Sequence, residues 1–141
     1  LPPGVIRHSD YPFSRHLGAF DFAIAAAGYN TFAEHLSVGL PTIWLPNEAP
    51  EQDQQILRVR FASEASLGLT VRLTEAFAMH AALDKMLAPA TRASFAAAGR
   101  RYALSQMAEN GAGAAAAAMA AVCDMIPSRA RPTLASNAGR Y

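Results

Sequence analysis

The spacing of apolar positions changes several times along the chain, and each change marks an element. Phe22-Ala23-Ile24-Ala25-Ala26 is almost continuously apolar. That is the pattern of a parallel strand covered on both faces, so residues 21–26 are expected to form one. Beyond Gly28 the period becomes helical, with Phe32 and Leu36 four apart on one stripe. Gly39 suits the C-cap, and Pro41 cannot continue the helix. Thr42-Ile43-Trp44-Leu45 reads as a strand stopped by Pro46, followed by a loop over 47–50. Residues 51–63 read as a helix with acids in its first turn, Arg58 and Arg60 later, and Leu57 and Phe61 toward the core.

Nearer the start, Val5-Ile6-Arg7 reads as a short strand, Ser9-Asp10-Tyr11-Pro12 as a loop, and residues 13–19 as a brief helix. Leu69-Thr70-Val71 after Gly68 predicts a further strand. Helical patterns then cover 75–87, 92–108 and 112–125, with Asn110-Gly111 between the last two. Residues 127–141 are polar and aperiodic, which predicts a flexible tail. Strands alternating with helices predict an α/β fold: a Rossmann-like parallel sheet flanked by helices, with right-handed crossovers.

A chain of 141 residues suits one domain, here residues 1–126, and is short for two. A net charge of +1 gives no electrostatic case for nucleic acid. Cys123 is the sole cysteine, which excludes an internal disulfide framework; within an alanine-rich helix it reads as a small buried residue. The apolar run over 111–123 falls short of the ~20 residues a membrane helix needs, so no direct membrane span is expected. The start at Leu1-Pro2-Pro3, with neither methionine nor a basic region before an apolar stretch, suggests a fragment without a signal peptide.

Ligands of parallel sheets sit beyond the C-terminal strand ends. Three loops are expected there: 9–13, 27–31 and 47–53. At Gly28 a strand turns into a helix, and the first-turn N–H groups of that helix lack helical partners and suit an anion. Asn30 and Thr31 add side-chain donors, or else cap the helix. Glu34 has two readings. Thr31-x-x-Glu34 has the spacing of a capping box, yet a carboxylate also suits the vicinal diol of a ribose. Asp53, Gln54 and Gln55 could read sugar hydroxyls, or form an acidic first turn with solvated amides. Tyr11-Pro12-Phe13 could form a shelf for a flat base, or a plain turn with a buried aromatic. His8, His16, His35 and His80 are scattered and show no metal-ligand spacing. No nucleophile–base arrangement can be read.

The order of these motifs resembles the donor-binding half of GT-B glycosyltransferases. Gly28-Tyr29-Asn30-Thr31-x-x-Glu34, Gly39-x-Pro41, Pro46 and Asp53-Gln54 follow the layout of plant UDP-sugar transferases and of the bacterial peptidoglycan GlcNAc-transferase, over about residues 3–73. Tyr29 stands where the plant motif has tryptophan. Ala26 stands where it has a phosphate-binding histidine, which shifts the comparison toward a bacterial enzyme. The resemblance implies diphosphate contacts at Gly28, Asn30 and Thr31, ribose at Glu34, and donor sugar at Asp53 and Gln54, with Gln55 sharing that role. It implies the base at Tyr11, Pro12 and Phe13.

The family's first strand–helix units and its acceptor-binding half, which usually carries the catalytic base, have no counterpart in these residues. The expectation is therefore a UDP-sugar-binding domain of a hexosyltransferase, inactive alone, with an acceptor-binding N-terminal domain or subunit as partner. No metal and no cofactor are expected, because backbone dipoles and hydroxyls can stabilise the leaving diphosphate. The expected location is the cytoplasm, peripheral to a membrane at most through the other half. A free-standing donor subunit of a two-part GlcNAc-transferase and a non-catalytic nucleotide-sugar-binding module are the alternatives.

Overall fold

The structure, a computed structural model, describes residues 1–49, 51, 53–108 and 111–125. The expected tail over 127–141 lies outside the described residues. The chain divides into two compact units, Leu1–Met107 and Ala108–Tyr141.

The first unit is the α/β body. Strands β1 (Ala23–Ala26), β2 (Thr42–Leu45) and β3 (Leu69–Thr70) form a parallel sheet in that order among the described residues. Helix α1 (Tyr29–Val38) joins β1 to β2, and α2 (Gln55–Glu64) joins β2 to β3. A 3-10 segment over Leu73–Ala78 leads into α3 (Met79–Leu87), and α4 (Pro89–Ala108) follows. In the second unit, α5 (Gly111–Met125) is exposed over its described side chains, 111–123.

Side chains alternate across a strand, so β2 feeds both faces of the sheet. Trp44 enters a core with Phe32 and Leu36 of α1, Val59 and Ala62 of α2, and Ala98 of α4. Ile43 enters the opposite core with Val71 and with Ala82 and Met86 of α3. Both side chains are fully buried, each contributing at least about 1.5–3 kcal/mol. This two-sided burial is the Rossmann-like arrangement that the strand–helix alternation predicts. α1 ends as expected: Gly39 takes a left-handed φ of 66°, and Leu40 N donates to His35 O at 3.0 Å, closing the helix end.

Several expectations are corrected. Val5-Ile6-Arg7 is not a strand. A turn in which Val5 N donates to Pro2 O opens it, Ile6 is exposed, and no strand pairs with it among the described residues. β1 is not covered on both faces. It lies at an edge of the sheet among the described residues, and Ile24 is 47% exposed, outside the core that Ile43 forms with α3.

α2 begins at Gln55, four residues later than the sequence suggests, because Gln54 has a non-helical ψ of 67°. Gln55, Val59 and Ala62 face inward, whereas Leu57 and Phe61 face out, Phe61 against Tyr102. The helix expected over 75–87 breaks at Glu75, whose φ/ψ of −119°/33° is non-helical. Residues 13–19 form a 3-10 segment anchored by buried Leu17. Cys123 is exposed, since α5 presents no buried face.

Candidate functional site

All three strands run the same way. The segments leaving β1, β2 and β3 therefore emerge along one rim, and the register Ala26↔Leu45 sets the first two side by side. Gly28 is the N-cap of α1, with extended φ/ψ of −59°/151° and no side chain capping it. Tyr29, Asn30 and Thr31 are the first three helical residues, so their N–H groups have no helical partner. Space around Gly28 is open: an added Cβ would meet nothing within 4 Å.

This geometry removes the capping-box reading of Glu34. A capping box needs Thr31 outside the helix at the N-cap, and Thr31 is instead its third residue. Asn30 and Glu34 are exposed, Thr31 is half-buried, and none of the three side chains has a hydrogen-bond partner among the described residues.

Asp53 and Gln54 are exposed in the loop before α2. Asp53 forms an ion pair with Arg58, and Arg58 Nε also donates to the Ala27 carbonyl at 2.7 Å. One guanidinium thus ties the loop before α2 to the residue preceding Gly28. Gln55 behaves differently. It is buried, and its Oε1 accepts from Asn47 N at 3.0 Å, so it pins the loop leaving β2.

A second arginine braces the same rim. Arg72, just after β3, makes a two-pronged contact with Glu48, its Nε donating to Oε1 at 2.9 Å. Arg72 holds the Glu48 carboxyl below the usual carboxylate range, and Glu48 in turn raises Arg72. Neither arginine brace is legible locally, because Arg58 and Ala27 are 31 residues apart and Arg72 and Glu48 are 24 apart.

Tyr11, Pro12 and Phe13 form an exposed segment that leads into the 3-10 segment, of which Phe13 is the first residue, with Tyr11 almost fully open to solvent. The reading as a turn with a buried aromatic does not hold. No hydrogen bond among the described residues ties this segment to the Gly28 or Asp53 loops. Beside it, His8, Asp10 and His16 come together: their ligating atoms all lie within 4.8 Å of one another. Arg15, then His16, hold the Asp10 carboxyl below its ordinary value.

A hollow of about 350 Å³ lies elsewhere. Asp21 and Pro41, which precede β1 and β2, line it together with Gly39 and Arg100. It therefore opens at the opposite end of the strands from Gly28.

No helix among the described residues is long and apolar enough to cross a membrane. Comparison with curated proteins and with solved structures finds no match. A family model, the glycosyltransferase family 28 C-terminal domain, matches residues 11–111. That span holds the sheet, the Gly28 turn and both arginine braces. The chain belongs to this family and is the nucleotide-sugar donor-binding, C-terminal half of a GT-B glycosyltransferase.

Proposed function

We propose that this domain binds a UDP-sugar along the braced rim and presents it for transfer of the hexose to an acceptor. The observation that carries the reading is the open, uncapped N-terminus of α1 at Gly28, held to Asp53 through Arg58. The free N–H groups there, with Asn30 and Thr31, hold the diphosphate and stabilise it as it leaves. Glu34, free of any capping duty, accepts both hydroxyl protons of the ribose. Asp53 and Gln54 read the sugar, and Gln55 holds the Asn47 loop beneath them. Tyr11, Pro12 and Phe13 supply the shelf for the base. A metal is not needed by this logic, since fixed dipoles carry the developing charge.

The acceptor and the catalytic base come from a separate N-terminal half. The open edge of β1, with Ile24 exposed, favours a neighbour there, either more of the same polypeptide or a partner subunit. A cytoplasmic enzyme, peripheral to a membrane at most through that half, fits this reading.

The test is calorimetric titration with UDP and with a panel of UDP-, GDP- and dTDP-hexoses. Saturable binding of UDP and tighter binding of one UDP-sugar are expected. Asp53→Ala leaves UDP affinity unchanged and lowers UDP-sugar affinity about tenfold, the worth of one charge-assisted bond. Equal loss for both ligands rejects the sugar assignment of Asp53, and no heat with any nucleotide sugar rejects the function.

A further inference from the structure

The histidines look scattered in sequence, yet the fold gathers two of them around one carboxylate. We propose that His8, Asp10 and His16 form a binding site for a divalent transition-metal ion of the zinc class. The site does not depend on the nucleotide-sugar reading, and it lies outside the Gly28 and Asp53 loops.

Three facts carry it. First, one ligating atom from each residue falls within 4.8 Å of the others. Zinc binds imidazole nitrogen and carboxylate oxygen at about 2.0–2.2 Å in tetrahedral geometry, so two ligands of one ion stand about 3.4 Å apart. The side chains must therefore close by about 1.5 Å at most, and His8 and Asp10 are exposed and His16 half-buried, so rotation is cheap.

Second, the ring nitrogens converge on the same polar centre. Asp10 N donates to His8 Nδ1 at 3.2 Å, and His16 Nε2 lies within hydrogen-bond reach of both Arg15 Nε, at 3.2 Å, and Asp10 Oδ2. Imidazole nitrogens are ligands of zinc-class ions once such contacts open.

Third, a cation already sits there. His16 Nε2 lies 3.0 Å from Asp10 Oδ2, and the Arg15 guanidinium contacts both. Two bases converging on one positive group are what a metal ion would find. Arg15 is 53% exposed and can swing into water when displaced. Two imidazoles and one carboxylate favour a zinc-class ion over calcium or magnesium, which take oxygen ligands. Water completes the shell at this open surface. The ion would tie residues 8 and 10 to the 3-10 turn at His16, closing a loop around Tyr11-Pro12-Phe13.

The experiment titrates the full chain with zinc chloride by calorimetry and with cobalt(II) by visible absorption, which reports coordination directly. One saturable equivalent is expected. His8→Ala and His16→Ala each weaken it about tenfold or more, whereas His80→Ala leaves it unchanged. Arg15→Gln removes the competing cation and tightens binding. All four positions are exposed or half-buried in short segments, and circular dichroism verifies that the variants fold. The site is rejected if the wild-type chain takes up no ion, if both His8→Ala and His16→Ala bind as wild type does, or if His80→Ala abolishes uptake. Weaker binding by Arg15→Gln also rejects it, because Arg15 would then be supporting the ion rather than displaced by it.

Discussion

Arg58 Nε donates to the main-chain carbonyl of Ala27 across 2.7 Å, and the same guanidinium pairs with Asp53. Ala27 is fully buried at the end of β1, whereas Asp53 stands at the surface. The side chain therefore joins a rigid point of the sheet to an exposed loop. Arginine suits this task because its planar fork offers donors in fixed, divergent directions. The lysine ammonium is a single point and cannot span both acceptors with the same geometry.

Arg58→Ala is expected to destabilise the domain by about 1–3 kcal/mol, because it leaves a buried carbonyl without its donor. It also frees Asp53, so UDP-sugar affinity falls more than UDP affinity. Arg58→Lys recovers part of the stability and little of the sugar affinity. Chemical denaturation and calorimetry on the two variants separate these effects. If Arg58→Ala lowers stability and leaves sugar affinity intact, Arg58 holds the fold and does not position Asp53.

Glu34 lies one turn into α1 with its carboxylate unpartnered among the described residues. Glu34→Ala should change stability by less than about 0.5 kcal/mol, as for a surface substitution. UDP affinity should fall at least about tenfold, since at least one charge-assisted bond to the ribose is lost. Binding of inorganic pyrophosphate should be unaffected, since it has no ribose. A matching loss for pyrophosphate would assign Glu34 to the helix and not to the ligand.

The β1–α1 turn was legible because its determinants are local: an apolar run, Gly28, and the Phe32–Leu36 stripe that is buried as expected. Gly39 likewise needs only its own φ to end α1. Leu57 and Phe61 were misplaced for a physical reason. Apolar and four apart, they read as the inward stripe, but α2 turns Gln55, Val59 and Ala62 to the core, and the polar Gln55 hid that stripe from the sequence. Ile24 looked like core because its neighbours are apolar, and sequence alone does not say which strand ends the sheet. Arg58, Arg72 and the His8–Asp10–His16 group escaped for a related reason. Their partners are set by the tertiary fold or by irregular loop backbone, and neither has a period to read.

His35 gives the fold a dependence on pH. It is a buried residue in the last turn of α1, and its Nδ1 lies 3.1 Å from Thr42 Oγ1. The Thr42 hydroxyl already donates to Leu40 O, so Nδ1–H is the donor to Thr42. Burial disfavours the charged ring and pushes the His35 pKa below its usual value. The unfolded chain therefore takes up a proton at higher pH than the folded one. Stability is full above about pH 6.5, the unfolded histidine pKa, and declines as pH falls from there toward the depressed folded value. His35→Gln, which does not titrate, should flatten this slope. Denaturation midpoints between pH 5.0 and 7.5 provide the comparison, and an unchanged slope in the variant would move its origin to another group. Asp10 and Glu48 contribute in a separate window, below about pH 4.5, because their folded pKa values are also lowered.

Gly68 shows how closely β3 approaches β2. A Cβ at this position would lie 2.4 Å from the Thr42 carbonyl oxygen and 2.8 Å from Trp44 Nε1. Neither neighbour can yield. Thr42 is backbone within a paired strand, and Trp44 is fully buried between α1 and α2. Gly68→Ala must therefore push β3 away from β2, breaking the Trp44↔Thr70 register. A cost of about 1–3 kcal/mol is expected from overpacking, and more if the strand pair separates. Because Arg72 follows β3 and grips Glu48 on the rim, the shift should carry into the loop leaving β2. UDP-sugar affinity in Gly68→Ala should thus fall even under conditions where the variant remains folded. Thermal melts together with calorimetry at low temperature test both halves, and a destabilised variant with wild-type affinity would show that the rim is held independently of β3.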